Sequence, residues 1–266
     1  MTYGFIGLGN MATAILSGMA QDGAFENNAL CGFDTSVERM RELHSQLGLR
    51  CEESAAKVCK NADVILLAVK PQVLPQVLPQ IAPELNCEKL VVSIAAGKPT
   101  AFYENAFAAD VPVVRVMPNI NARVRAAASA VCAGKAAGER HLEIVRSMFR
   151  SVGSVFDLPE QHFPAFGALG GASGAFIYLY IDALASSGVK AGLSRELSQQ
   201  IASQVVLGSA KLVQASEEHP IRLCDQVCSP GGTTIEGIHT LKQLGFETAV
   251  QQAIDAIIEK DKLLGK

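Results

Sequence analysis

The chain has 266 residues, 49% hydrophobic and 18% charged, with 23 glycines and 11 prolines, a composition that excludes a disordered, collagenous or coiled-coil protein. Its length fits one large domain or two modest ones. A net charge of −3 and a pI near 6.0 lack the basic footprint of a nucleic-acid-binding domain. A mean hydropathy of +0.23 demands a large buried apolar surface, either in a membrane or between subunits. The long uncharged stretch Phe163–Ile181 is interrupted by Pro164 and several glycines, which makes it a poor membrane span. The expectation is therefore burial in a homo-oligomer interface and no membrane partner. Seven cysteines at irregular spacing, with no basic leader segment ahead of the first strand, fit free thiols in a reducing cytoplasm. Cys224 and Cys228 lack the further ligands of a four-ligand pattern, so no metal is expected.

The first half alternates short apolar runs with helical patterns. Tyr3–Ile6 reads as a strand ending in glycines and Met11–Ala20 as a helix. Ala29–Phe33 is a second strand, followed by Ser36–Leu47 at helical period. Val64–Val69 is wholly apolar, as a strand covered on both faces must be, and Leu90–Ala95 resembles it. In Pro71–Gln80, Pro75 is tolerated only in a first helical turn, so any helix there starts late. Pro112–Met117, Ala127–Cys132 and Ser154–Leu158 complete the strands. This alternation predicts βαβ units and a mostly parallel sheet. The character changes near Pro159. Helices are expected at about Ala172–Gly188, from Leu193 to about Ala215 with Ser194 as N-cap, at Gly232–Leu244 and at Phe246–Leu264. The predicted fold is thus α/β: a Rossmann-like dinucleotide-binding domain over residues 1–158, then an all-helical domain for dimerisation and substrate binding over 159–266.

Gly7-Leu8-Gly9-Asn10-Met11-Ala12 fits G-x-G-x-x-A directly after a strand and at the start of a helix, with Asp34 22 positions after Ala12. Gly7 permits the tight turn, Gly9 lets a pyrophosphate approach the backbone amides, and Ala12 keeps the helix near the strand. Asp34 is suited to ribose hydroxyls and repels a 2′-phosphate, whereas Thr35, Ser36 and Arg39 are suited to a phosphate. Thr35 and Ser36 are equally suited to capping the next helix. Ala68-Val69-Lys70-Pro71 and Ala95-Ala96-Gly97 end two strands and are expected to flank the cofactor, since ligands sit at the carboxyl ends of strands. With Ile6, these residues make up the expected cofactor site. In the second half, Ser229-Pro-Gly-Gly-Thr-Thr234 precedes a helical pattern, which converges backbone amides and hydroxyls on a carboxylate-sized anion.

The motifs GFIGLGNMA (Gly4–Ala12), LLAVKPQ (Leu66–Gln72), VVSIAAG (Val91–Gly97), RVMPN (Arg115–Asn119), GSAK (Gly208–Lys211) and EHP…DQVCSPGGTTIEG (Glu218–Gly237) resemble those of pyrroline-5-carboxylate reductase in order and spacing. The likeness covers essentially the whole chain. It departs in Gly170–Phe176, with Gly174 where proline is usual and Phe176 where tyrosine is usual, and at Asp34, where many relatives carry polar or basic residues. The resemblance implies reduction of L-1-pyrroline-5-carboxylate to L-proline, the last step of proline biosynthesis, with NADP(H) preferred and NAD(H) possible. It implies that Thr234 donates to the ring nitrogen as the catalytic residue. It further implies that Ser229 and the amides of Gly232, Thr233 and Thr234 hold the carboxylate, and that Glu217 and Val227 line the pocket. No His/Asp dyad or Tyr-x-x-x-Lys stands out, which suits a protonated imine, since an iminium carbon is already electrophilic. His219 and His239 are read as structural. The alternatives are a β-hydroxyacid-type dehydrogenase, which needs a lysine such as Lys190 or Lys211 in the helical half, and a non-catalytic dinucleotide-sensing regulator.

Overall fold

The computed structural model describes residues 1–26, 28–108 and 110–264, without the side chains of 262 and 264. Two compact units emerge, Met1–Gly171 and Ala172–Lys260, the first also including Asp261 onward.

The first unit is built on one eight-stranded sheet. Its strands are β1 (Thr2–Ile6), β2 (Ala29–Phe33), β3 (Arg50–Cys51), β4 (Val64–Leu67), β5 (Leu90–Ser93), β6 (Val113–Met117), β7 (Ala127–Ala133) and β8 (Gly153–Asp157). Their order is β3-β2-β1-β4-β5-β6-β7-β8. The first six follow the doubly wound dinucleotide-binding order, with its switch point between β1 and β4. All pairings are parallel except β6–β7. The α/β, mostly parallel architecture read from the strand–helix alternation is therefore the observed one. Helices α1 (Asn10–Gln21), α2 (Val37–Leu47), α3 (Ala55–Asn61), α4 (Leu74–Ile81), α5 (Thr100–Glu104) and α6 (Glu139–Arg150) connect the strands. Every residue of β4 and β5 is buried, which is why both segments read as continuous apolar runs. One core packs Leu66, Val92, Val114 and Val116 with Ile15, Leu16 and Phe149; the other packs Ile65, Leu67 and Val91 with Val58, Leu78 and Tyr103.

The structure bears out one expected helix start and extends another helical run. Helix α4 begins only at Leu74, with Pro75 in its first turn as expected, and it continues through Pro79. Burial of Leu74, Leu78 and Ile81 on one face outweighs the missing proline amide. The helical structure expected from Ala172 begins earlier, at α7 (Phe163–Phe166), and continues through a π-helical turn, Gly167–Ala172, before α8 (Gly174–Lys190). Sequence periodicity also leaves β3, α3, α5, α6 and the helix Pro220–Val227 unread; all but the twelve-residue α6 carry too few periods to register.

The second unit is helical, with α8 followed by α9 (Arg195–Ala215), α10 (Pro220–Val227), α11 (Thr233–Gln243) and α12 (Phe246–Leu264). Ser194 caps α9 by accepting from Leu197 N–H. Its apolar residues are largely uncovered: Leu179 is 71% exposed, Val205 55% and Leu244 79%. By length and composition the helical run Glu160–Lys190 meets the requirement for a membrane crossing, so the interruptions by Pro164 and the glycines do not spoil it as expected. Exposure on several faces of α8 and α9 gives the unit more apolar surface than a monomer ordinarily tolerates. Sedimentation velocity at micromolar concentration should show an oligomer. A stable, active monomer would show that these faces need no cover.

Candidate active site

The nucleotide side is assembled where parallel strands end. Gly7 follows β1 with φ +88°, and a Cβ there would lie 2.8 Å from the Ala68 carbonyl oxygen, so glycine is required for β1 and β4 to end this close. Its N–H donates to Phe33 C=O at 2.9 Å, joining the end of β2. Gly9 is the N-cap of α1 and offers no side-chain cap, and nothing lies within 4 Å of where its Cβ would be. Open space in front of an uncapped helix N-terminus is the cradle a pyrophosphate needs. Asn10 and Met11 open that helix, while buried Ala12 and Ile6 pack into the cores.

Asp34 lies just after β2 and its carboxylate turns inward. Leu8 N–H donates to Oδ2 at 2.7 Å and Ser36 N–H to Oδ1 at 2.8 Å. Arg39 Nη1 donates to Leu8 C=O at 3.2 Å, so the two peptide groups that flank the Leu8 α-carbon are held by an anion and a cation respectively. The Ser36 hydroxyl caps α2 by accepting from Arg39 N–H, and Thr35 is exposed. Lys70 and Ala96 are exposed, while Val69 and Pro71 are half-buried at the end of β4. The turn Ala95-Ala96-Gly97 closes with Gly97 at φ +70°.

Ser93 and Tyr103 brace that turn. Ala95 N–H donates to Ser93 Oγ at 3.3 Å, and Ser93 Oγ donates to Tyr103 Oη at 2.6 Å, with both side chains buried. Burial pushes the Tyr103 phenol up, against the opposing pull of the Ser93 hydrogen bond and the Arg115 charge. The only sequence signal for this brace is a lone hydroxyl within the apolar run Leu90–Ala95.

In the second unit, α10 ends at Val227 and Cys228 is its C-cap. Gly231 has φ +68°, and Gly232 N–H donates to Ser229 C=O at 3.0 Å. A Cβ on Gly232 would lie 2.5 Å from Ser229 Oγ, so the loop closes on the serine only with glycine there. Gly232 is the N-cap of α11 and supplies no side-chain cap, leaving the first-turn amides of Thr233 and Thr234 facing outward from a helix N-terminus. Glu217, Val227, Ser229, Thr233 and Thr234 are all exposed. His219 caps α10, its Nδ1 accepting from Ile221 N–H at 3.3 Å, which agrees with a structural reading. Burial and neighbouring Cys224 push the Cys228 thiol up. Among the described residues no three His, Cys, Asp or Glu side chains gather in a metal-like cluster. The residues expected to hold the cofactor thus gather at the carboxyl ends of the strands in the first unit, and those expected to hold the substrate are mostly contiguous in the second.

Residues 160–264 match the family described as pyrroline-5-carboxylate reductase dimerisation, and residues 2–97 the family described as NADP oxidoreductase, coenzyme F420-dependent. The chain is 39% identical to pyrroline-5-carboxylate reductase of Methanosarcina acetivorans, over 99% of this chain and 97% of the relative. The chain belongs to the pyrroline-5-carboxylate reductase family. It is 37% identical to the Escherichia coli member, over 99% of this chain and 98% of that one. The solved pyrroline-5-carboxylate reductase of Coxiella burnetii superposes with a TM-score of 0.94 at 30% identity, covering 99% of this chain and 98% of that one. The Plasmodium falciparum enzyme, solved with NADP bound, gives 0.86 at 31% identity, covering 100% and 98%.

Asp34 supports the glycine loop through two backbone hydrogen bonds, and the expected cofactor placement puts its negative charge at the ribose end of the nucleotide site. Asp34→Ser should raise the NADPH-to-NADH ratio of catalytic efficiencies by about tenfold, the effect of relieving roughly 1.4 kcal/mol of repulsion. Affinity for both cofactors should fall, because Leu8 N–H loses its acceptor. An unchanged ratio would show that the two backbone hydrogen bonds turn the carboxylate away from the 2′-position.

Proposed function

We infer that this chain reduces L-1-pyrroline-5-carboxylate to L-proline with NAD(P)H, the final step of proline biosynthesis. The observation that carries it is the uncapped N-terminus of α11 behind Ser229-Pro-Gly-Gly, in a chain related end to end to pyrroline-5-carboxylate reductases. We assign the dinucleotide to residues 1–158 and the substrate and dimer contacts to 159–266. NADP(H) is the preferred cofactor, supported by the bound NADP of the Plasmodium falciparum relative, and NAD(H) is the second choice. When bound, the cofactor supplies the hydride.

The chain's own contribution is positional. Gly7, Gly9 and the first turn of α1 receive the pyrophosphate. Ala68–Pro71 and Ala95–Gly97 flank the rest of the nucleotide. Ser229 and the amides of Gly232, Thr233 and Thr234 hold the substrate carboxylate, and Glu217 and Val227 line the pocket. The Thr234 hydroxyl donates to the ring nitrogen. A threonine hydroxyl is too weak an acid to protonate the imine near neutral pH, so its role is orientation and charge stabilisation. Exposed faces of α8 and α9 meet a second copy, as a homodimer or within a larger homo-oligomer, and the enzyme works in the cytoplasm. The dehydrogenase and sensor alternatives gain no support from relatives that share the whole chain.

Purified protein should oxidise NAD(P)H only when pyrroline-5-carboxylate is present and should form proline; a folded protein that forms none with either cofactor sinks the reading. Thr234→Ala should lower catalytic efficiency by roughly 10- to 1000-fold, the span of one hydrogen bond of about 1.5 to 4 kcal/mol at a reacting centre. Thr233→Ala should cost much less, since only its amide is assigned a contact. If both threonines merely stabilise the start of α11, the two variants will lose similar stability, about 1 kcal/mol, with near-wild-type kinetics.

A further inference from the structure

The motif Arg115–Asn119 has no part in the site built above, yet its alternate residues all engage one segment of the chain. A strand of period two puts residues 115 and 117 on one face, while Val114 and Val116 enter the core on the other, and Asn119 follows two residues beyond the strand's end. Arg115 Nη1 donates to Glu160 Oε1 at 3.1 Å, and the Arg115 guanidinium lies 4.4 Å from the Phe163 ring centroid. Met117 underlies the glycine-rich turn so closely that a Cβ on Gly167 would lie 2.9 Å from its Cε. Asn119 donates from Nδ2 to Gly170 C=O at 2.7 Å, while its Oδ1 accepts from Asn121 N–H at 3.2 Å. Both ends of that amide are occupied, so its orientation is fixed.

Glu160 also reaches the nucleotide side. It accepts from Thr100 N–H at 2.8 Å and from Thr100 Oγ1 at 3.1 Å, at the start of the helix that follows the Ala95–Gly97 turn. One carboxylate therefore ties β6, the Gly97–Thr100 region and the segment entering the π turn. The π turn lies at the carboxyl edge shared by β5 and β6, whose register pairs Ser93 with Arg115. Isolated π turns interrupt helices frequently at functional sites.

We propose that Arg115 and Asn119 are positioning residues for hydride transfer, holding the Gly167–Gly171 turn at the carboxyl edge through Glu160 and the Gly170 carbonyl. The role rests on the reductase reading. Asn119→Asp isolates it: a carboxylate oxygen keeps the Asn121 N–H, but an acceptor replaces the donor that faced Gly170 C=O.

The test is steady-state kinetics with NADPH and with NADPH deuterated at the transferred position, beside cofactor titration and thermal melts. Asn119→Asp should lower kcat by about 10- to 100-fold, the effect of misplacing reactants by an ångström or less. The primary deuterium isotope effect should rise, and NADPH affinity should stay at the wild-type value. A purely structural contact would lower the melting temperature and leave the isotope effect alone, so a wild-type kcat and isotope effect in Asn119→Asp overturns the proposal. Should that variant not fold, Glu160→Gln decides. It keeps an acceptor for Thr100 and removes the charge facing Arg115, and an unchanged isotope effect there also overturns the proposal. A wild type inert toward pyrroline-5-carboxylate overturns the reductase reading, and this role with it, whereas an active wild type with unaltered variants overturns the brace alone.

Discussion

Gly7 is the point on which the nucleotide half depends. Three parallel strands end around it, its N–H bonded to Phe33 and its α-carbon pressed against the Ala68 carbonyl. Any side chain there would need a left-handed backbone and would also force β1 and β4 apart. Close approach of those strand ends leaves α1 starting just after Gly9, its N-cap, with open space before it. The same approach brings Asp34 within reach of Leu8. Recognition of a dinucleotide is therefore a by-product of how tightly a doubly wound sheet closes at its switch point.

Asp34 illustrates how one side chain serves two demands. Its carboxylate accepts two backbone N–H groups, which stabilises the loop, and these bonds direct its charge as well as use it. Arg39 on the neighbouring carbonyl completes the clamp. The charge at this position is thereby coupled to loop geometry. A sequence comparison of that position alone sees the charge and misses the coupling.

The helical half obeys a different constraint. Its helices have apolar residues on more faces than they cover for one another, with Leu179, Val205 and Leu244 open to solvent. This is the surface of an incomplete core, and membership in a reductase dimerisation family identifies the missing material as another copy. Such an assembly accounts for exposed apolar surface of the kind that raises the mean hydropathy.

Much of this was legible in the residues. Buried parallel strands must be apolar throughout, so β4 and β5 announced themselves, and the glycine spacing after β1 located the nucleotide turn. The serine–glycine–threonine loop likewise marked the start of α11. Tertiary structure alone decided the rest. Pro79 argues locally against a helix that runs through it, and only the burial of Leu74, Leu78 and Ile81 in the core overrides it. Nothing in the chain order joins Arg115 to Glu160 or Asn119 to Gly170, contacts 45 and 51 residues apart. Local sequence determines which backbone states a segment prefers and which of its faces is apolar. Which distant carbonyl an amide meets depends on how the sheet closes, and that is fixed by packing summed over the whole core.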